Sequence, residues 1–397
     1  MTIVSHPESS LNDYNDEQPH SSLLRFTSSQ INRTLLHPSL PQPGQPDNQQ
    51  ATLNPNRNKN NDHHTFVLTA DTQFGMTRRN RDWALEMEYS TQAIEAINAL
   101  SPRPLYCCVC GDLVDMTAQL FQGSLKTNDH GKRDDGKKQS ANKGARPRWT
   151  NEECDEIQDA QNRDFMMIWS KLHPDIALVC VCGNHDVGNR PNAATIQRFT
   201  NTFGSDYLAF WANGTYNIVL NTNLFSDPTD APDLYQQQLT WLQERLEYSS
   251  TNHATHIFLY GHHPWLLHRD DEDETKDLPG VSRLPEEWLD DDDPSSKQTI
   301  HDGYFVIPRK YRQQVLHLCQ EYKVAAIFSG HFHQNWIAYT SFGMPMIVTS
   351  SLSVLLRSSS VPHDFGEPAA RGYRVVTVQD GQDEQGRGRF QHKFYTL

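Results

Sequence analysis

Gly111-Asp112-Leu113-Val114-Asp115, directly after the apolar run Leu105–Cys110, is the stretch on which the fold turns. A short buried apolar run that ends on glycine and then on carboxylates reads as a core strand with polar residues at its carboxyl end. Four other stretches repeat the arrangement. Thr65–Ala70 leads into Asp71-Thr72-Gln73, and Ile176–Cys182 leads into Gly183-Asn184-His185-Asp186. His256–Tyr260 leads into Gly261-His262-His263-Pro264, and Val324–Ser329 into Gly330-His331-Phe332-His333. In open α/β sheets ligands bind beyond the carboxyl ends of the strands. The five polar clusters are therefore expected at one sheet edge.

Between these strands the helical period appears. Trp83–Leu100 places Ala93, Ile94, Ile97 and Leu100 on one face, and Thr150-Asn151-Glu152-Glu153 is a capping box that opens a helix to about Leu172. Leu234–Leu246 and Pro308–Tyr322 read as further helices. Asn213-Gly214 between Tyr207–Ala212 and Thr215–Asn221 predicts a hairpin. Strands follow near Asn335–Thr340, Met346–Ser350, Tyr373–Val378 and Phe390–Tyr395. Strands alternating with helices predict parallel βαβ units, and the hairpins predict antiparallel additions: a mixed sheet, or two packed sheets, covered by helices. Trp211 and Trp265 read as packing residues.

Residues 1–63 are rich in Ser, Asn, Gln, Pro and His without periodicity and read as a disordered polar tail. One domain is expected over 64–397. Insertions are expected near 122–148, where Gly, Lys, Asp, Asn and Ser dominate, and near 269–303, which includes the run Asp290–Asp293. The chain has 397 residues and a net charge of -14. No basic stripe is visible, which argues against a nucleic-acid partner. Acidity does not exclude phosphate substrates when bound metal supplies the positive charge. Cysteines such as Cys107, Cys108, Cys180 and Cys182 lie inside apolar runs and read as buried thiols of a reducing compartment. The N-terminus has no apolar signal core, and no run approaches the roughly 20 residues that span a bilayer. The expectation is a soluble cytoplasmic protein without a membrane partner.

Asp, Asn and His are donors for hard to borderline divalent cations. Two carboxylates on consecutive strands and a Gly-His-x-His turn suffice for two cations, which can clamp the attacking and leaving oxygens of a phosphoryl displacement. Singly, each cluster is ordinary: Gly-Asp and Asn-His are usually turns, and Asp71 alone is a candidate helix cap. Their order at successive strand ends carries the reading.

These motifs resemble the calcineurin-like metallophosphoesterase family, whose pattern is DxH, GDxxD, GNH(D/E), a fourth-block His and GHxH. The resemblance runs from about residue 65 to the C-terminus. Ala70–Gly75, Gly183–Asn189, Asp206-Tyr207 with Phe210-Trp211, and Phe328–His331 are similar to a narrower branch of intracellular serine/threonine phosphatases. The resemblance implies an α/β fold, a four-layer α/β/β/α sandwich of two mixed sheets flanked by helices. It implies two divalent metal cations, Mn, Mg or Fe, with Zn also possible. Asp71, Gln73 and His333 would ligate metal one, Asp112 would bridge, and Asn184, His262 and His331 would complete metal two. His262 is preferred to His263 because the family's ligand lies two residues before the proline, which leaves His263 either to support the ligands from behind or, the preferred reading, as a plain loop histidine. His185 would donate a proton to the leaving alkoxide or stabilise charge on the phosphoryl oxygens, with Asp115 accepting its hydrogen bond and Asp186 serving as a turn carboxylate. Asn189, Arg190, Tyr304 and Phe305 are candidates for the substrate groove.

Gln73 stands where most of the family has histidine, and an amide oxygen favours harder ions. Asp115 stands where purple acid phosphatases have tyrosine, which disfavours a tyrosinate–iron centre. Met116-Thr117 and Asp186 depart from the branch of calcineurin itself. The implied activity is metal-dependent phosphoester hydrolysis, in particular serine/threonine protein dephosphorylation by in-line attack of a metal-bridging hydroxide. The implied partner is a phosphoprotein or a small phosphoester. A phosphodiesterase on nucleotides or lipids uses the same centre and stays open. A non-catalytic scaffold is the remaining alternative, although His185 and Asp112, the positions such scaffolds tend to lose, are both present.

Overall fold

A computed structural model describes residues 64–123, 148–283, 299–359 and 369–397. The expected tail at 1–63 lies outside the described residues, as do the interiors of both expected insertions. The first half of the chain runs β1 (His64–Thr69), α1 (Ala84–Asn98), β2 (Tyr106–Val109), the single turn α2 (Ala118–Phe121), α3 (Asn151–Trp169), β3 (Ala177–Cys180), the single turn α4 (Asn184–Val187) and α5 (Ala193–Phe203). It continues through β4 (Leu208–Ala212), β5 (Thr215–Val219), α6 (Asn223–Ser226), α7 (Pro232–Thr251), β6 (His256–Tyr260), β7 (Val281–Arg283) and β8 (Thr299–His301). A 3-10 turn (Asp302–Phe305) and α8 (Arg309–Glu321) precede β9 (Ala326–Ser329), β10 (Trp336–Tyr339), β11 (Pro345–Val348), β12 (Arg357–Ser358), β13 (Gly372–Gln382) and β14 (Gly388–Thr396).

The strands form two main sheets, in the orders β14-β13-β1-β2-β3 and β10-β11-β9-β6-β5-β4, and a small sheet β12-β7-β8. β1, β2 and β3 run parallel, as do β5, β6, β9 and β11, while the hairpin β4–β5, the pair β10–β11 and the pairs made by β13 are antiparallel. Side chains alternate across each strand, which explains the layering. Phe66, Leu68, Tyr106, Cys108 and Val179 face Phe210, Phe258, Tyr260 and Phe328 between the two sheets. Their sequence neighbours Val67, Cys107, Val109 and Leu178 pack under Ile94, Ile97, Phe165, Trp169 and Phe199 of α1, α3 and α5. On the far side, Tyr216, Ile218, Leu259 and Ile327 lie under Leu239, Leu242 and Leu246 of α7 and Val315 and Cys319 of α8. The architecture is thus an α/β sandwich of mixed sheets flanked by helices. Trp211 and Trp265 belong to this last layer, as packing residues. All seven cysteines are free and buried, and no helix among the described residues is long and apolar enough to cross a membrane.

Local chemistry sets the boundaries. Thr150 Oγ1 accepts from the Glu153 N–H at 3.2 Å while the Glu153 carboxylate accepts from the Thr150 N–H at 3.0 Å, the reciprocal box that the sequence predicts. α7 runs past Leu246 to Thr251 because Ser249 is buried and Tyr248 packs on the core, a continuation without an aliphatic signal. α5 was not anticipated. Asn192 Oδ1 accepts from the N–H groups of Ala194 and Thr195 at 2.9 and 3.1 Å, and Ile196, Phe199 and Phe203 bury one face.

At the sheet edge remote from the carboxyl ends of β1 and β6, two buried histidines make stability pH-dependent. Burial, reinforced by His256, pushes His64 from its ordinary 6.5 down to about 4. Burial also lowers His256, against the pull of the Arg389 carbonyl that accepts from its Nε2 at 2.7 Å. Both rings are neutral in the folded chain, so below pH 6.5 the unfolded chain takes up protons that the folded chain refuses. Their contribution is complete above about pH 6.5 and is lost as pH falls towards 4. For His64 this amounts to about 3 kcal/mol at most. The guanidinium midpoint is expected to fall between pH 7 and 4.5, and His64→Gln is expected to flatten that fall. An unchanged profile would refute the assignment.

Candidate metal centre

The five strand-end clusters meet at one edge. Asp71 follows β1, Asp112 follows β2, Asn184 opens α4 after β3, His262 follows β6, and His331 and His333 follow β9. Asp71, Gln73, Asp112, Asn184, His262, His331 and His333 are all at most 3% exposed. Donor atoms of Asp71, Asp112 and His333 lie within 4.8 Å of one another, and so do those of Asp112, His262 and His331. Asp112 belongs to both groups.

Backbone geometry is bent to achieve this. Asp71, Gln73, Asp112, His331 and His333 have φ of 51°, 35°, 51°, 65° and 56°. For non-glycine residues this region is sparsely populated, and each such residue costs on the order of 1 kcal/mol or more. Gly183 is required for a different reason. A Cβ there would stand 2.0 Å from Asp112 Oδ1, so only glycine lets the third cluster close on the second. Asp186 clamps that junction, its carboxylate accepting from the N–H groups of Gly183, Leu113 and Val114 at 2.7, 3.0 and 3.2 Å. This is the turn role expected of it.

The histidines are oriented from behind. His262 Nδ1–H donates to the Cys110 carbonyl at 2.9 Å, which turns Nε2 towards Asp112 Oδ2 at 3.2 Å and Asn184 Oδ1 at 3.1 Å. His333 Nδ1–H donates to the Val354 carbonyl at 2.6 Å, which turns its Nε2 towards Asp71 Oδ1 at 3.4 Å. Fixing one ring nitrogen in this way presents the other as a metal donor. His331 Nε2 is buried with no hydrogen-bond partner. An orphaned imidazole nitrogen grouped with the Asp112 carboxylate and His262 fits a cation, since buried polar groups are otherwise paired.

Charge distribution agrees. Burial, with a contribution from Asp112, pushes the Asp71 carboxyl up to about 8, against the pull of His262. Burial disfavours charge on Asp112 too, but His262 and His185 outweigh it and hold its carboxyl well below the usual range. Burial disfavours charge on His262, and Asp112 overrides that, raising it to about 9. Burial and the neighbouring imidazoles hold His331 well below its ordinary value, while burial alone accounts for most of the lowering of His333 to about 4. Two buried carboxylates with protons lodged among them form a donor set suited to cations in place of those protons.

Gln73 lies against the shared carboxylate. Its Nε2–H donates to Asp112 Oδ2 at 3.1 Å, and its Oε1 accepts from Ser353 Oγ at 3.2 Å. The amide therefore turns its nitrogen, not its oxygen, towards the shared carboxylate. His263 lies in a loop but is buried. It is 3% exposed, its ring lies 4.3 Å from that of His331, and its Nδ1 is 3.1 Å from Thr222 Oγ1. The pair of N–H groups at His262 and His263 both donate to that same hydroxyl at 3.0 Å, so Thr222 fixes the fourth cluster.

His185 projects from the rim of this edge, its side chain 18% exposed. Its Nδ1 lies 2.9 Å from Asp115 Oδ1 and 3.1 Å from the Asp115 carbonyl, and its backbone N–H donates to Asp112 Oδ1 at 2.9 Å. Burial opposes its charge, yet Asp112 and then Asp115 push it up to about 10. Two residues missed in the sequence hold Asp115. Asn80 Nδ2–H donates to Asp115 Oδ2 at 2.6 Å, and Gln161 donates to Asn80 Oδ1 at 2.6 Å while accepting from the Met116 N–H at 2.9 Å. Ser351 and Ser353 were missed as well; the Ser351 hydroxyl donates to the Asp71 carbonyl at 2.9 Å, and Ser353 Oγ lies at the same distance from that oxygen. Their position directly after β11, at the same edge, was a readable signal.

Among the expected groove residues, Asn189 and Tyr304 reach Asn184. Phe305 is buried beneath them. Arg190 is exposed and engaged by Asp230 at 2.7 Å and Asp227 at 3.6 Å.

The family model for calcineurin-like phosphoesterases matches residues 61–335, more than half the chain. The chain is a calcineurin-like phosphoesterase. Membership makes it a hydrolytic enzyme of the metallophosphoesterase class. This phosphoesterase is 28% identical to the serine/threonine-protein phosphatase CPPED1 of Rattus norvegicus over 341 residues, covering 84% of the chain and 83% of the relative. It is likewise 28% identical over 341 residues to CPPED1 of Homo sapiens, with the same coverage. A solved dimetal phosphatase from Danio rerio aligns with 84% of the phosphoesterase and 98% of its own chain at 14% identity and a TM-score of 0.46.

Proposed function

We propose that this phosphoesterase removes phosphate from serine and threonine phosphomonoesters with two divalent cations. The observation that carries the reading is the carboxylate of Asp112, shared by two groups of buried donors. Asp71, Asp112 and His333 would hold one cation, and Asp112, Asn184, His262 and His331 the other. Gln73 steadies Asp112 Oδ2 through its N–H. Cations held there would supply positive charge for the phosphoryl oxygens and an activated water for in-line displacement. The chain itself does the rest. The buried donors exclude bulk water, and the Asp115 contact turns His185 so that Nε2 faces the approach to the site. Protonated His185 gives its Nε2 proton to the departing alkoxide oxygen as the P–O bond breaks. The likeness to proteins named as serine/threonine phosphatases supports the monoester assignment.

The test is metal analysis of protein purified without chelator, combined with a substrate panel. The expected result is two Mn²⁺ or Mg²⁺ equivalents per chain and hydrolysis of phosphothreonine peptide and p-nitrophenyl phosphate. Turnover confined to bis-p-nitrophenyl phosphate and cyclic nucleotides would replace this reading with a phosphodiesterase.

A further inference from the structure

We propose that Tyr304 is a positioning residue that keeps the Asn184 carboxamide turned with its oxygen into the metal site. The inference rests on the dinuclear reading above and assigns a task to a side chain from outside the five strand-end clusters. Asn184 Nδ2 donates to the Tyr304 hydroxyl at 3.3 Å and to Asn189 Oδ1 at 3.0 Å, and the Tyr304 hydroxyl donates to Asn189 Oδ1 at 3.3 Å. The three groups close a triangle. With its single proton committed to Asn189, the hydroxyl oxygen is left as an acceptor, and only the NH₂ end of Asn184 satisfies it. The Asn184 oxygen must then face the opposite way, 3.1 Å from His262 Nε2 and among the donors that flank Asp112. An amide turned the other way would offer nitrogen, which has no lone pair for a cation.

The turn that carries Tyr304 is built to hold it there. Asp302 Oδ2 accepts from Ser358 Oγ of β12 at 2.6 Å, and the Asp302 N–H donates to the Gly280 carbonyl at 2.9 Å. A Cβ on Gly303 would stand 1.9 Å from the Glu274 carbonyl oxygen, so the turn is pressed against the 270–277 loop. That loop is in turn gripped by the buried guanidinium of Arg312, which donates to the carbonyls of Asp270 and Glu272. The Tyr304 ring lies 5.2 Å from the His331 ring and 5.3 Å from that of Phe305, which is itself buried against Phe332. Tyr304 remains 44% exposed, so the triangle is not a by-product of core packing.

The experiment titrates chelator-stripped protein with Mn²⁺ and counts free ion by electron paramagnetic resonance, comparing wild type, Tyr304→Phe and Asn189→Ala. Phenylalanine keeps the ring on His331 and Phe305 and removes only the hydroxyl. The expected result is two ions on wild type, and in each variant roughly tenfold weaker binding of one ion with the other unchanged, the scale of lost outer partners of metal ligands. Wild-type affinity for both ions in Tyr304→Phe would overturn the positioning role and leave the dinuclear reading intact. Equal weakening of both ions would also overturn it, as a general structural loss. A wild type that binds no Mn²⁺ would overturn both at once.

Discussion

Asp112→Asn is expected to reduce phosphoester turnover to background and to leave the protein short of both cations. The side chain is isosteric, so packing is preserved and the loss isolates charge. Asp112 Oδ1 accepts from the His185 N–H at 2.9 Å, and Oδ2 accepts from Gln73 Nε2 at 3.1 Å while facing His262 Nε2 at 3.2 Å. Among the described residues no other side chain belongs to both donor groups. An amide has one oxygen and no charge, and its nitrogen cannot accept from any of these donors. Removing one partner of a buried charged set also leaves the others uncompensated, and Asp112 is the largest of the pulls that raise His262 and His185. Metal-free stability should therefore fall together with activity. Elemental analysis and circular dichroism separate the two effects: a folded protein depleted of metal is the expected outcome. A variant that retains two ions and a tenth of the wild-type rate would remove Asp112 from its shared position.

The site was readable wherever its chemistry is local. Glycine after a strand, then a carboxylate or imidazole, is a pattern of neighbours, and it located Asp71, Asp112, Asn184, His262, His331 and His333 at one edge. The sandwich was readable because its strands alternate with amphipathic helices. Other features are set by distant contacts and leave no local mark. Asn80 lies 35 positions from the carboxylate that it holds and has an unremarkable sequence setting. The amide of Gln73 is turned by Ser353, 280 positions away. His263 is buried by its packing on His331, which a loop motif does not disclose. The left-handed backbone at Asp71, Gln73, Asp112, His331 and His333 is invisible for the same reason. Residue identity favours such φ values at glycine, and here tertiary contacts impose them on ligand-bearing residues instead.

His185→Ala is expected to keep both cations and to slow hydrolysis of a phosphothreonine peptide by roughly two to four powers of ten. The ring is placed to move a proton and not to hold an ion. Its Nδ1 is engaged by Asp115, which is held by Asn80 and, through it, Gln161. That arrangement leaves Nε2 at the rim, and the neighbouring carboxylates keep the ring protonated at neutral pH. Bound cations would offset the influence of Asp112, which leaves the direct contact with Asp115 as the one that preserves the proton. The discriminating measurement is the leaving group. A threonine alkoxide is a strong base and needs the proton as the P–O bond breaks, whereas p-nitrophenolate departs without it. The alanine variant should therefore lose far more rate on the phosphopeptide than on p-nitrophenyl phosphate. Equal losses on the two substrates would mean that His185 acts on the phosphoryl oxygens alone, since stabilisation of charge there helps both leaving groups alike.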